Sequence, residues 1–323
     1  MSSLDGNVAD SRPGPGYRSL ISGVATWVDP DRVFLRIAGA RADGVLNGLL
    51  SADVTALQQP GDATLSFVLT SKGRPVAVPR VIRLEDSILL DVSREAVNGL
   101  LDHFGTYLPP RFATVTALDD TRRVSLLGPR AGEVEATLQL SGSPLRLERA
   151  PEEGGGVDFY LRAGSSAREA IETATLAAGG AVATAADYEA WRMELGIPRF
   201  GLDITSDNLP QETGLVSRAV SFDKGCYTGQ EVVARIHYRG QVNRYLRGIR
   251  PTDTASAPPA TPGAELTREG RVVGTITSWC VSPRFGPIGL GYVRRELSAG
   301  DVVEAKFGHP FSCFVMDIPF TVT

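Results

Sequence analysis

The chain has 323 residues, a formal net charge of −4, 42% hydrophobic and 22% charged residues. A single hydrophobic core stops growing at about 250–300 residues, so the length predicts at least two cores, and the composition is that of a globular protein. The net charge excludes a global attraction to nucleic acid or to an acidic membrane, and the three widely spaced cysteines, Cys226, Cys280 and Cys313, exclude a disulfide framework and a clustered metal site, which fits a reducing, cytoplasmic setting.

The chain opens with Met1 to Gly16, rich in Ser, Gly, Pro and Asp. It has no cationic start followed by an apolar stretch, so residues 1–16 read as a disordered tail rather than a signal peptide. Order is expected from Tyr17. Val33 to Ile37 reads as a strand ended by Gly39, and Ala42 to Leu50 as a helix with Val45, Leu46, Leu49 and Leu50 on one face. Thr64–Thr70 and Pro75–Leu84 read as strands joined by the turn Ser71-Lys72-Gly73-Arg74, followed by a strand at Ile88–Val92. Ser93 is placed to cap a helix carrying Val97, Leu100, Leu101 and Phe104.

A second stretch begins near Arg122, with a strand at Val124–Gly128. Ser166–Ala178 is a helix stopped by Gly179-Gly180. Thr184–Leu195 is another, with Thr184 and Asp187 placed as a capping box and Gly196 and Pro198 as its end. Pro251–Gly263 is a low-complexity connection. Beyond it, Arg271–Ser278, Pro287–Val293, Val302–Phe307 and Phe311–Met316 read as short strands with no helix between them, which predicts a small β-barrel or sandwich. The class is α+β: residues 17–242 as two α+β subdomains with a break near 120, and 243–323 as a β-barrel. No apolar run approaches the roughly 18 residues needed to span a membrane.

Two places stand out chemically. Glu194 sits in the last turn of its helix, where a carboxylate faces the negative end of the dipole at a cost of about 0.3–1 kcal/mol. On position alone it reads as a surface residue paired with Arg192 or Arg199. The segment Lys224-Gly225-Cys226-Tyr227-Thr228-Gly229-Gln230-Glu231 flanks a cysteine with glycines and places a lysine two residues before it. If a helix starts near Gln230, both lysine and helix N-terminus favour a thiolate at Cys226; the alternative is a buried, inert thiol. Cys280 and Cys313 lie in apolar strand patterns and read as core. His103, His237 and His309 have no metal spacing, and neither a Gly-x-Ser-x-Gly elbow nor a dinucleotide-binding glycine motif opens a helix.

The eight-residue segment resembles the signature of YgfZ-type folate-binding proteins, relatives of the glycine cleavage T-protein. Arg192–Pro198, Pro210-Gln211-Glu212, Leu46–Val54, Thr70–Arg74, Gly270–Ser278 and Gly289–Val293 resemble further blocks of these families, so the likeness spans about Val33 to Phe320. It implies three parts around a central cavity that binds folate, as tetrahydrofolate or a derivative. It makes Glu194 the acceptor for adjacent pterin N–H donors, a charge-assisted bidentate pair. Tyr188 is implied as the aromatic beside the folate, with Trp191, Arg192, Gln211 and Tyr227 as further pocket residues. Lys224 is implied to meet either the folate's anionic tail or the thiol of Cys226. One departure from the T-protein matters: its Asp in the strand after the glycine turn is replaced here by Ala77 or Val78, which removes an acid–base group.

The resemblance therefore implies a cytoplasmic, monomeric accessory protein that uses folate and Cys226 to support assembly or repair of iron–sulfur client enzymes, tRNA-modifying ones included. No direct nucleic-acid contact and no membrane association are implied. The alternative is a tetrahydrofolate-dependent aminomethyltransferase or demethylase, for which Asp53, Glu212 and Asp223 are the candidate bases.

Overall fold

The computed structural model describes residues 14–254, 261–307 and 309–321. Order begins earlier than the sequence suggests. Pro15 occupies the first turn of α1 (Pro15–Ser22), a position where its missing N–H costs nothing. The Gly14 N–H donates to Asp187 at 2.5 Å. A Cβ on Gly16 would sit 2.5 Å from Asp187 Oδ2, so glycine permits this contact. Gly14 to Gly16 are thus held in place, and the rest of the expected tail, 1–13, lies outside the described residues.

The chain continues through β1 (Ala25–Val28), β2 (Arg32–Ala38), α2 (Ala42–Leu49), β3 (Ala63–Leu65), β4 (Val68–Leu69), β5 (Pro75–Ala77), β6 (Arg80–Arg83), β7 (Ile88–Ser93), α3 (Val97–Tyr107) and β8 (Thr114–Ala117). Five of these strands form an antiparallel sheet in the order β3-β6-β7-β2-β8. The two long hairpin strands expected at 64–70 and 75–84 are each broken in two. Pro79 cannot donate to a ladder, and only its carbonyl is used, by the Ser66 N–H at 3.0 Å. The outer halves pair separately as β4 and β5, with a register shift at Val68/Leu69. Ser93 does not cap a helix with its side chain; a 3₁₀ turn, Arg94–Ala96, precedes α3, and the Ser93 hydroxyl reaches the Phe200 carbonyl at 3.4 Å. Leu100 and Phe104 of α3 are buried against this sheet, whereas Leu101 is exposed.

Next come β9 (Thr121–Leu127), α4 (Ala131–Glu135), β10 (Leu145–Glu148), β11 (Val157–Arg162), α5 (Ser166–Ala177), β12 (Ala181–Val182), α6 (Ala185–Glu194), α7 (Val216–Ala219) and α8 (Gln230–Arg239). A second five-stranded sheet runs β10-β11-β9-β1-β12, with β1 supplied from the start of the chain and paired parallel to the two-residue β12. Thr184 and Asp187 form the capping box expected for α6, an arrangement that contributes about 1 kcal/mol. Gly196, at φ 69°, turns the chain away after α6.

The last segment, β13 (Arg244–Pro251), β14 (Glu265–Arg268), β15 (Arg271–Ser282), β16 (Gly286–Arg294), β17 (Val302–Phe307) and β18 (His309–Met316), closes into a barrel in the order β13-β16-β15-β14-β17-β18. Closure removes the exposed edges an open sheet would present. Its core includes Ile249, Ile276, Val293, Val303, Cys313 and Val315. Part of the low-complexity connection, residues 255–260, lies outside the described residues. Among the described residues no helix is long and apolar enough to cross a membrane.

The two five-stranded sheets meet face to face. Phe34, Ile82 and Leu89 of the first pack against Leu147 and Tyr160 of the second, with the Phe34 and Tyr160 rings edge to face at 5.7 Å. Two ion pairs cross the same interface in opposite directions: Arg80 of β6 to Asp158 of β11 at 2.6 Å, and Arg123 of β9 to Asp91 of β7 at 2.7 Å. Both carboxylates are fully buried. Burial alone would raise their pKa values, but the surrounding guanidinium groups outweigh it and hold both below the ordinary 3.8. Depressed carboxylate pKa values contribute stability that is complete above about pH 4 and is lost as pH falls through the folded-state values. Asp158→Asn should cost about 3–5 kcal/mol, because it strands buried arginines without a partner. Urea unfolding from pH 7 to pH 3 should show this loss at neutral pH, and a shallower acid decline in the variant than in the parent.

Candidate functional site

A cavity of about 140 Å³ opens where the two sheets, the end of α6 and the loop after it converge. One wall is apolar: Leu65, Val78, Phe200, Ile204 and Leu215. The rest of the lining is guanidinium-rich. Arg32 and Arg123 hold Asp91, and Arg123 also reaches Asp29 at 3.3 Å. Arg80 and Arg149 hold Asp158, while Arg80 and Arg218 share Glu153. Ser125 and Tyr160 complete the shells of Asp158 and Asp91. Glu153, like the two aspartates, is pulled below its usual pKa by these arginines against the effect of burial. The strand position that carries an acid in the T-protein pattern is apolar here: Ala77 is fully buried and Val78 lines the cavity.

Helix α6 distributes its expected site residues over three directions. At about 100° per residue, positions 188 and 192 lie within about 40° of each other, whereas 194 lies about 160° from 192. Tyr188 and Arg192 accordingly line the cavity. Tyr188 stacks on Trp27 at 4.9 Å and tilts against Trp191 at 5.6 Å. Arg192 is almost wholly buried and fully engaged, donating to Glu189, Asp203, the Ile197 carbonyl and Ser278. Because Asp203 also accepts from Thr277 and Ser278 of β15, Arg192 fastens α6 to the barrel. Trp191 instead faces a groove lined by Leu195, Gly154 and Arg284.

Glu194 is not a surface residue paired with Arg192 or Arg199. It is 3% exposed and sits between α1 and the barrel. Oε1 accepts from the Tyr17 hydroxyl at 2.6 Å and from the Ser282 hydroxyl. Oε2 is buried with no hydrogen-bond partner, and Arg284 stands 3.6 Å from it. Burial raises the Glu194 pKa, opposed by the two hydroxyl donors and Arg284. Tyr17, Ser282 and Arg284 were not anticipated. Tyr17 follows a Gly-Pro-Gly run that reads as disorder, and Ser282-Pro283-Arg284 reads only as a turn; chain separations of 177 and 88 residues hide the contacts.

The glycine-flanked segment is a loop pinned at both ends. Lys224 Nζ donates to the carbonyls of Asn47, Leu50 and Ala52 at 2.5–2.7 Å. All three ammonium protons are thereby used at the C-terminal end of α2, where the helix dipole favours a cation. Burial pushes the Lys224 pKa down to about 8, with Asp53 opposing. Tyr227 is buried with its hydroxyl unpartnered and its ring 5.2 Å from Lys224 Nζ. The Thr228 N–H donates to the Gly48 carbonyl at 3.0 Å. Gly229 has φ 81°, and a Cβ there would meet the Thr70 carbonyl at 2.5 Å, so only glycine fits this approach. Between these anchors Cys226 is exposed, while Cys313 is buried and Cys280 half-buried. Burial pushes both of the latter thiols up to about 12.

The remaining candidates lie apart from the cavity lining. Gln211 donates to the Val233 carbonyl at 2.8 Å and so braces α8. Glu212 is buried against Asn208 and Arg244, Asp53 caps a 3₁₀ turn through Thr55, and Asp223 is exposed. None of these three carboxylates is among the residues lining the cavity. Among the described residues no group of three or more His, Cys, Asp or Glu is arranged to hold a metal ion.

Residues 244–321 match the family of the glycine cleavage T-protein C-terminal barrel domain. The mitochondrial iron-sulfur cluster assembly factor IBA57 of Mus musculus is 27% identical over 294 residues, covering 83% of this chain and 77% of that protein. The tRNA-modifying protein YgfZ of Shigella boydii is 27% identical over 227 residues, covering 67% of this chain and 68% of that one. The crystal structure of glycine cleavage system aminomethyltransferase T from Bartonella henselae shares the fold, with a TM-score of 0.81, 21% identity, and coverage of 95% of this chain and 88% of that one. Residues 244–321 thus form a glycine cleavage T-protein C-terminal barrel domain, the chain has the T-protein fold, and over two thirds or more of its length it is similar to YgfZ and IBA57.

Proposed function

We propose that the protein is a folate-binding accessory factor that supports assembly or repair of iron–sulfur enzymes, tRNA-modifying ones among them, acting as a cytoplasmic monomer through Cys226. The observation that carries this reading is the pinned loop. Of the three cysteines, Cys226 is the exposed one, and it is presented between the Lys224 and Tyr227–Gly229 anchors. Ordering a loop in advance lowers the entropy cost of engaging a partner. The relatives' names support the two halves of this reading, iron-sulfur cluster assembly for the mouse protein and tRNA modification for the Shigella protein. With no cluster-binding set of its own among the described residues, the chain would work on the metal centre of a client.

The folate part rests on Glu194. A buried carboxylate oxygen without a donor fits a ligand N–H, and a pterin offers adjacent ones. Oε1 is already taken by Tyr17 and Ser282, so the free oxygen would serve as the acceptor in place of a two-oxygen clamp. Bound folate would supply a carrier for one-carbon units; the chain's own contribution is to orient the pterin and exclude water from it. Glu194 is not among the residues lining the cavity, and that cavity, about 140 Å³, is below the roughly 300–1,000 Å³ of typical ligand pockets, so it would not enclose a folate whose pterin is held by Glu194. The transferase alternative gains no support from geometry: the acids lining the cavity, Asp29 and Glu153, are both committed to arginines.

Iodoacetamide should modify Cys226 at least tenfold faster than Cys280 or Cys313 in the native protein. A thiol with a pKa of about 12 is roughly one part in ten thousand thiolate at pH 8. Peptide mapping by mass spectrometry reads this directly. Cys226→Ser should change stability by less than about 0.5 kcal/mol and leave folate affinity intact, yet abolish support of iron–sulfur enzyme activity in a deletion strain; full complementation by the variant would sink the role of the thiol. In calorimetry with tetrahydrofolate, Glu194→Gln should weaken binding by about 1.5–3 kcal/mol. An unchanged affinity would remove Glu194 from the folate site.

A further inference from the structure

Three neighbours set what Glu194 can offer a ligand. The Tyr17 hydroxyl, at 2.6 Å, and the Ser282 hydroxyl both donate to Oε1. These bonds fill that oxygen and fix the orientation of the carboxylate. Oε2 is left over, buried and without a donor. Arg284 stands 3.6 Å from Oε2, too far for a hydrogen bond. The Arg284 backbone N–H is held by the Ser282 hydroxyl at 3.0 Å, and its guanidinium lies 5.0 Å from the Phe285 ring centre. Among the described residues that guanidinium donates no hydrogen bond. The turn is therefore fixed while the donors it carries are free. The Arg284 side chain is half-exposed and opens on the groove that Trp191 faces, about 500 Å³ in volume, with Leu20, Ile21 and Leu195 on its apolar side. A free acceptor and a free donor thus stand side by side. A carboxylate with both oxygens open takes two adjacent N–H donors; this pair takes an N–H next to a C=O, the edge of a cyclic amide.

We propose that Glu194 and Arg284 together read the lactam edge of the pterin, Oε2 accepting from N3–H and the Arg284 guanidinium donating to the C4 carbonyl. Arg284 is then the residue that determines specificity, and Tyr17 and Ser282 restrict Glu194 to a single acceptor. This pairing rests on the folate reading of Glu194 and names the edge of the ring that is recognised. It excludes a ring of the opposite polarity, because a donor facing a donor or an acceptor facing an acceptor in a buried place loses its hydrogen bond and stays desolvated.

The test uses the full chain at pH 7 and calorimetry with tetrahydrofolate and its 4-amino analogue, tetrahydroaminopterin. The two share the benzoyl-glutamate tail. In the analogue an amino group replaces the C4 carbonyl and N3 carries no proton, so both hydrogen bonds reverse. Tetrahydrofolate should bind at least about tenfold more tightly than the analogue. Arg284→Met keeps an unbranched stem beside Phe285 and removes the donors; the side chain is 42% exposed, so the fold should survive. The variant should bind tetrahydrofolate about tenfold more weakly and the analogue no more weakly than the parent does, so the preference shrinks. Equal or tighter binding of the analogue by the parent, or a parental preference in Arg284→Met, would overturn the lactam pairing and leave folate binding standing. Failure of tetrahydrofolate to bind the parent would remove the folate reading and this pairing with it, so the two failures are told apart by the first titration.

Discussion

The architecture depends on the two arginine–aspartate pairs that cross between the sheets. They run in opposite directions, Arg80 to Asp158 and Arg123 to Asp91, so sliding one sheet over the other breaks both at once. A purely apolar interface would be as cohesive and less particular about position. Buried ion pairs are often no better for net stability than well-packed hydrophobic residues of the same volume. We therefore read these pairs as fixing relative position, with the surrounding Phe34, Ile82, Leu89, Leu147 and Tyr160 supplying cohesion. The charged lining of the cavity is referred to this interface, because β2, β6 and β9 present Arg32, Arg80 and Arg123 and β7 and β11 carry the aspartates that hold them.

Long, strongly periodic elements were legible in the sequence. Helices α2, α5 and α6, the capping box at Thr184, the stop at Gly179 and four barrel strands lie where hydrophobic spacing and turn chemistry place them. Short strands were not. β1 and β12 have four and two residues, too few to show a period, and they exist because a neighbour is there to pair with. The split hairpin shows a local rule overruled: the apolar run 75–84 reads as one strand until Pro79 is weighed as a non-donor.

The sequence shows which residues of α6 carry chemistry and not the directions in which they point. Glu194 stands out in the sequence as a carboxylate at the wrong end of a helix, and on that position alone it reads as a surface residue. Its compensation comes from Tyr17 and Ser282, residues that no local window connects to it. Trp191 and Glu194 stand on the same helix as Tyr188 and Arg192 but face other spaces, which helical geometry dictates once one face is fixed. The ion network was invisible for a plainer reason. An arginine in a strand reads as solvent-facing, and its burial becomes apparent only when the partner strand is known.

Lys224 gives the signature segment a meaning beyond its cysteine. Three backbone carbonyls converge on its ammonium from the end of α2 and the turn beyond it. That is the arrangement by which proteins hold a bare metal cation with main-chain oxygens, here with a tethered organic ion at the centre. A tetrahedral ammonium can satisfy three acceptors around one point; a planar guanidinium cannot. Exchange for arginine would preserve the charge and lose the coordination. The lysine in this motif thus behaves as a built-in ligand ion, and the loop bearing Cys226 is the strap that delivers it.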